Sequence, residues 1–235
     1  MPGQIGGVSV DISVFKAVGP VMIGPSSSHT AGAARLARIA RIIVAGPFTH
    51  VSFGLHGSFA QTYTGHGTDR ALVAGVLGFA EDDERIANAF ALAEQTGLTW
   101  DFYPVELQNV HENSVKMTFF MKDGNKQEII GSSIGGGQIL ICAINGFLTD
   151  ISAQSSTLVI SQNDRRGVIS DVSRVLFENG INIGTMKVSR NARGETAFCI
   201  IETDGPVDDA VAVRLRQVEN VLSVRAINLG EGEAI

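Results

Sequence analysis

Residues 157–229 read as strand, helix, strand, strand, helix, strand, and no other feature limits the possible fold as tightly. Thr157 to Gln162 is a strand-like run, and Asp164-Arg-Arg-Gly167 is a loop. Val168 to Asn179 places Val168, Val172, Val175 and Leu176 on one helical face, and Gly180 stops the helix. Ile181 to Arg190 and Glu195 to Thr203 are strands on either side of a turn at Asn191-Ala-Arg-Gly194. Asp208 to Gln217 is a helix, and Val221 to Asn228 is the last strand. The order βαββαβ predicts a ferredoxin-like sandwich.

Residues 1–148 read as a separate α/β domain, which makes the chain α/β (α+β) as a whole. Leu36, Ile39, Ala40 and Ile43 fall at helical spacing, with Arg35, Arg38 and Arg41 on the other side and Gly46-Pro47 as the stop. His50 to Leu55 is a strand. Thr68-Asp69 is expected to cap a second helix carrying Leu72, Val73, Val76 and Leu77. A third helix is expected from Asp83 to Gln95, ended by Gly97. Ser114 to Met121 and Lys126 to Ile130 form a hairpin about Lys122-Asp-Gly-Asn125. The polar stretch Thr149-Asp-Ile-Ser-Ala-Gln-Ser-Ser156 suits a linker to residues 157–235.

Charge and cysteine content narrow the function. The net charge is −6 and no basic stripe interrupts it, so a nucleic-acid partner is not expected. The longest apolar run, Ile139 to Ile144, is too short to cross a bilayer, so no membrane partner is expected. Met1 to Val10 lacks the basic and apolar regions of a signal peptide, and a cytoplasmic protein is expected. Only Cys142 and Cys199 occur, each in an apolar strand-like run, and buried, inert thiols are the simplest expectation. An iron–sulfur cluster needs three or four thiolates, so two dispersed ones cannot hold it. His29, His50, His56, His66 and His111 show no metal-ligand spacing.

The segments suited to chemistry lie in the first domain. In Gly24-Pro-Ser-Ser-Ser-His-Thr30, Ser26, Ser27, Ser28 and Thr30 crowd one helix start, where a single hydroxyl would suffice as a cap. The surplus hydroxyls and the positive end of the helix suit a carboxylate, although an over-decorated cap has the same sequence. His29 sits at that start, where its charged form is disfavoured. Gly65-His66-Gly67-Thr68-Asp69 repeats the arrangement, with glycines that leave the ring uncrowded and a histidine suited to general-base work. A Gly-rich turn with an exposed histidine is the plainer alternative. Gly131-Ser-Ser-Ile-Gly-Gly-Gly137 suits a loop around a small ligand or a partner's backbone, and no Gly-Lys-Ser/Thr follows it. His111-Glu-Asn113 is either ligand-facing or simply solvated.

Taken in order, Val14-Phe-Lys16, the serine–histidine segment, Gly57-Ser58, Gly65-His-Gly-Thr-Asp69, His111-x-Asn113 and Ser133-Ile-Gly-Gly-Gly137 resemble the bacterial iron–sulfur L-serine dehydratases over residues 12–148. The family often has two adjacent histidines where this chain has His66-Gly67, and His-Pro-Asn where it has Glu112. Residues 157–229 resemble an ACT domain, with Asn163, Asp164 and Gly167 in the loop that usually meets the amino-acid ligand. Arg166 stands where that module usually has Pro. The pair of domains is also similar to the regulatory half of some D-3-phosphoglycerate dehydrogenases.

The resemblance implies an allosteric-substrate-binding-like first domain and the β subunit of a two-chain enzyme. L-serine would become pyruvate and ammonia with a [4Fe–4S] cluster held by a cysteine-rich α subunit, and K⁺ is a candidate second cofactor. It implies His66 as the base at Cα. His29 with Ser26, Ser27, Ser28 and Thr30 would hold the carboxylate, and Ser133, Gly135, Gly136, Gly137, His111 and Asn113 would line the pocket. It further implies a homodimer through ACT sheets or an α₂β₂ assembly. The competing reading is a non-catalytic amino-acid-sensing module, which would not need the His29/His66 pair. A free-standing hydrolase is disfavoured because no nucleophile–base–acid set is assembled.

Overall fold

The computed structural model describes residues 24–190 and 192–228. Met1 to Val10, Val14-Phe-Lys16 and Asn191 lie outside the described residues. No described helix is long and apolar enough to cross a membrane.

The first domain is a six-stranded sheet with helices packed on it. Its strands are β1 (Phe48–His56), β2 (Thr99–Pro104), β3 (Asn113–Met121), β4 (Lys126–Gly135), β5 (Gln138–Ile144) and β6 (Phe147–Ile151), in the order β2-β1-β3-β4-β5-β6. β1 and β2 pair in parallel and the other neighbours are antiparallel. A parallel pair needs a long crossover. Here it contains α2 (Gly57–Thr62), α3 (Thr68–Leu77), a 3-10 turn (Glu84–Asn88) and α4 (Ala89–Gln95).

The helix α1 (Gly32–Val44) crosses the sheet and packs on α3, with Leu36, Ile39, Ala40 and Ile43 in the core as the helical spacing predicts. The other side, which carries the three arginines, is engaged as well. Arg35 is buried, donating to Ala153 O at 2.8 Å, with Glu81 3.9 Å away. Arg41 donates to Val76 O at 2.7 Å. α1 lies among sheet, helix and second domain, so even its polar side finds protein partners.

Four further expectations are corrected. Thr68 does not cap α3: left-handed Gly67 (φ 69°) is the N-cap, and Thr68 Oγ1 is buried without a partner. The helix expected over 83–95 is a 3-10 turn followed by the short α4. Gly131 to Gly135 are strand rather than loop, and only the tip beyond them turns, with Gly135, Gly136 and Gly137 at φ 100°, 59° and 74°. Three successive left-handed residues explain three successive glycines. Of the stretch 149–156, the first three residues belong to β6 and Ser156 to β7, which leaves 152–155 as the connection.

The second domain has the expected order: β7 (Ser156–Asn163), α5 (Val168–Glu178), β8 (Ile183–Arg190), β9 (Thr196–Thr203), α6 (Asp209–Arg216) and β10 (Val221–Ile227). Its sheet runs β10-β7-β9-β8, antiparallel throughout. Strand alternation divides its apolar residues between two cores. Leu158, Ile160, Cys199, Ile201 and Val224 pack with Val172, Leu176 and Leu215 of the helices. Val159, Phe198, Ile200 and Ile227 join the core of the first domain. Both faces of the sheet are therefore covered at β7 and β9, while β8 stays largely exposed, and β10 touches α1.

Candidate active site

The serine-rich segment enters α1 through a widened turn. Ser27–Ala31 is a π-helical turn, with extended Ser26 as its N-cap, Ala31 N–H reaching Ser26 O at 3.4 Å, and Gly32 N–H reaching Ser27 O. Single π turns often mark functional sites because they push side chains out of regular register. Ser26 Oγ accepts from His29 N–H at 3.1 Å. The same turn sets the His29 ring against Ser28 Oγ, 3.1 Å from Nδ1, and Ser58 Oγ, 3.0 Å from Nε2. Phe59 lies edge-on to the ring at 5.3 Å.

The second imidazole arrives from the loop before α3. The His29 and His66 ring centroids are 4.8 Å apart. Thr30 Oγ1 donates to His66 O at 3.0 Å, which ties the two helix starts together. The His66 ring is not the uncrowded one that its flanking glycines suggest: Nδ1 is buried and has no hydrogen-bond partner. Burial first, then the His66 ring, hold the His29 imidazole below the ordinary histidine value, against an opposing pull from Glu112. His29 is therefore neutral at neutral pH and able to take or give a proton.

The strands bring the remaining groups to the same place. Ser58 N–H bonds Glu112 O at 2.9 Å, and Gly57 bridges Asn113, so the His111–Asn113 segment is stitched to the start of α2. His111 is exposed, with Nδ1 accepting from Asn113 N–H at 3.1 Å. Ser133 lies beneath the π turn, so close that a Cβ on Gly32 would stand 2.0 Å from Ser133 Oγ. Ser133 Oγ and Asn113 Oδ1 are buried without partners, as is His66 Nδ1. Buried polar atoms are nearly always satisfied. Two orphaned oxygens and the unpartnered nitrogen of one of the paired imidazoles leave polar groups open to a ligand.

Some predicted residues play other parts. Ser26, Ser28 and Thr30 direct their hydroxyls at His29 or at His66 O, so they first organise the histidines, and only Ser27 lacks such a bond among the described residues. Gly135 and Gly136 have nothing within 4 Å of an added Cβ, which leaves the hairpin tip open. His50 bonds Asp101 at 2.7 Å across β1 and β2, and His56 accepts from Leu107 N–H, so both are structural. Two residues were not singled out as site residues from sequence. Ser58 holds His29 Nε2. Arg70 lines a cavity of about 260 Å³ with Gly24, Pro25, Thr30, Gly65 and His66. A guanidinium one residue beyond Gly65-His-Gly-Thr-Asp69 was the available signal.

Residues 13–98 match the family described as Serine dehydratase beta chain, and residues 156–220 match the ACT domain. These matches define a serine dehydratase β-chain region followed by an ACT domain. The chain is 42% identical over 220 residues to the L-serine dehydratase, beta chain, of Peptoniphilus asaccharolyticus, covering 93% of this chain and 99% of that one. It is 42% identical over 215 residues to the probable L-serine dehydratase, beta chain, of Bacillus subtilis, covering 92% and 97%. The chain belongs to the L-serine dehydratase β-chain family. It is also 29% identical over 186 residues to D-3-phosphoglycerate dehydrogenase of Bacillus subtilis, covering 78% of this chain and 35% of the enzyme.

Proposed function

We propose that this chain joins a cysteine-rich α subunit in the cytoplasm to convert L-serine into pyruvate and ammonia, with His66 as the base at Cα. The observation that supports this best is the meeting of His29 and His66 at 4.8 Å, with His66 Nδ1 unpartnered and the orphaned buried oxygens of Ser133 and Asn113 on the adjoining strands. Cys142 on β5 and Cys199 on β9 lie in different sheets, so the pair does not suit a cluster on this chain. The open polar atoms instead suit a substrate held against a group from the α subunit. Lewis acidity at the serine hydroxyl would come from a [4Fe–4S] cluster on that subunit.

This chain's residues do the rest. His29, held at Nδ1 by Ser28, exchanges its Ser58 contact at Nε2 for the serine carboxylate, with Arg70 at the adjoining cavity as the nearby positive charge. Ser133 and Asn113 satisfy their buried oxygens on the substrate's polar atoms. His66 takes the Cα proton and passes it to the departing hydroxyl, which leaves as water and gives 2-aminoacrylate; this tautomerises and hydrolyses to pyruvate and ammonia. A positioned base of this kind contributes roughly 10²–10⁴-fold.

Anaerobic co-expression with the α subunit, followed by a pyruvate assay with and without K⁺, tests the reading and the second cofactor. His66→Ala should lose turnover by orders of magnitude with the cluster's absorbance retained, and normal turnover would remove His66 as the base. His29→Ala should also weaken serine binding. The similarity to D-3-phosphoglycerate dehydrogenase favours a second reading, a regulatory module without catalysis. An inactive pair with an intact cluster that still binds serine would select it. The edges β8 and β10 suit pairing of two ACT sheets in a homodimer or α₂β₂ assembly, which light scattering can measure.

A further inference from the structure

The second domain has a cavity of its own, far in sequence from the histidines. It measures about 440 Å³ and is lined by Asp164, Arg165, Arg166, Arg190, Arg193 and Gly194. Its arginines come from two separate segments, the loop between β7 and α5 and the hairpin between β8 and β9. Four guanidiniums thus converge on one carboxylate in a chain whose net charge is −6. That carboxylate is already engaged: Asp164 Oδ2 accepts from Arg190 Nη1 at 2.9 Å and from Gly194 N–H at 3.0 Å. Those two bonds hold its carboxyl below the usual range, so it stays ionised and bound. Arg165, Arg166 and Arg193 form no ion pair within 4 Å among the described residues.

An amino-acid ligand needs an anion-binding group for its carboxylate and an acceptor for its ammonium group. The cavity has an excess of the first, and its only carboxylate is committed to Arg190 and Gly194. Guanidinium forks match phosphate and carboxylate oxygens two at a time. We propose that this cavity binds a small polyanion, a phosphate-bearing or polycarboxylate metabolite, through Arg165, Arg166 and Arg193, with the Asp164–Arg190 pair as a fixed wall. Asn163 and Gly167, on the same loop, then shape the wall rather than recognise an α-amino group. The proposal rests on the ACT fold and not on the dehydratase chemistry, so an inactive His66→Ala protein leaves it standing.

Calorimetric titration of the full chain at low ionic strength separates the cases. Pyrophosphate probes the phosphate class, citrate the polycarboxylate class and L-serine the amino-acid class, with NaCl at matched ionic strength as the control for screening. Saturable binding of pyrophosphate or citrate is expected, weakened at least tenfold in Arg166→Ala/Arg193→Ala and less in Arg166→Lys/Arg193→Lys. Both variants should keep the wild-type circular dichroism, because these side chains are exposed. Heat matched by NaCl alone, unchanged anion affinity in the alanine variant, or L-serine binding lost in that variant without any anion binding would each overturn the proposal.

Discussion

Thr30 Oγ1 donates 3.0 Å to the main-chain carbonyl of His66, so the first turn of one helix fixes the loop that enters another. Thr30 is buried, and a Cβ on Gly24 would collide with it, so its rotamer has little freedom. It acts as a positioning residue rather than a contact for substrate. Thr30→Val should leave the carbonyl unsatisfied at a cost of about 1–3 kcal/mol. It should also let His66 drift enough to lower kcat roughly 10²-fold. KM should change much less, and Thr30→Ser should restore most of the rate. Equal losses in both variants would mean a purely structural role.

The His29 site carries a pH signature. Its folded pKa lies below the unfolded value, so between the two the unfolded chain binds more protons and stability rises with pH. The His29 contribution is therefore complete above about pH 6.5 and is lost as pH falls toward the lowered folded value. Glu112 raises the His29 pKa, so Glu112→Gln should lower it further. The acid limb of kcat/KM should move to lower pH in that variant. A limb that stays in place, or moves up, rules His29 out as the group it reports.

Ser133 and Gly32 make a paired test. Gly32→Ala would set a Cβ 2.0 Å from Ser133 Oγ. Overpacking of this kind costs about 1–3 kcal/mol, so the melting temperature should fall by several degrees. Ser133→Ala removes a hydroxyl that has no partner in the free chain. It should leave the melting temperature nearly unchanged while serine binding by the αβ pair weakens. A large stability loss with normal binding would show that Ser133 is a packing residue.

The two thiols should differ in reactivity. Cys199 is fully buried, and burial pushes its pKa up to about 11, so little thiolate exists at neutral pH. Cys142 is half-buried, with Ser132 Oγ 3.3 Å away. Alkylation followed by mass spectrometry should modify Cys142 first and Cys199 only after unfolding.

Arg35 should govern how the two domains unfold. It donates to Ala153 O in the connection and lies buried. Arg35→Met should broaden or split the thermal transition, because it leaves that carbonyl unpaired where the domains join. A single sharp transition at the wild-type temperature would show that the shared core alone joins them.

The second domain was legible almost residue by residue, because each of its helices has one apolar stripe and each turn a glycine or a polar cluster. The first domain was less so. β2 is an edge strand ending at Pro104, and β6 is short, so neither shows a clear period. The burial of Arg35 was not legible because its partners, Ala153 and Glu81, are distant in sequence. The two imidazoles were readable as candidates. Their meeting depends on a π turn and on the Thr30 bond, which no local pattern encodes. Thr68 was misread as a cap because Gly67 in the left-handed region already begins the helix. Ser58 shows only as part of a short Gly-Ser pair, since its role depends on where α2 sits.

α1 begins at the turn that holds His29 and runs on to touch β10, while Val159, Phe198, Ile200 and Ile227 of the ACT sheet sit in its core. The helix entered from the His29 turn thus rests on the floor of the ACT sheet. An effector that favours one seating of α1 on that floor would change serine affinity by some factor. Thermodynamic reciprocity then requires serine to change the effector's affinity by the same factor. The enzyme's own substrate would be, in that sense, a ligand of its regulator.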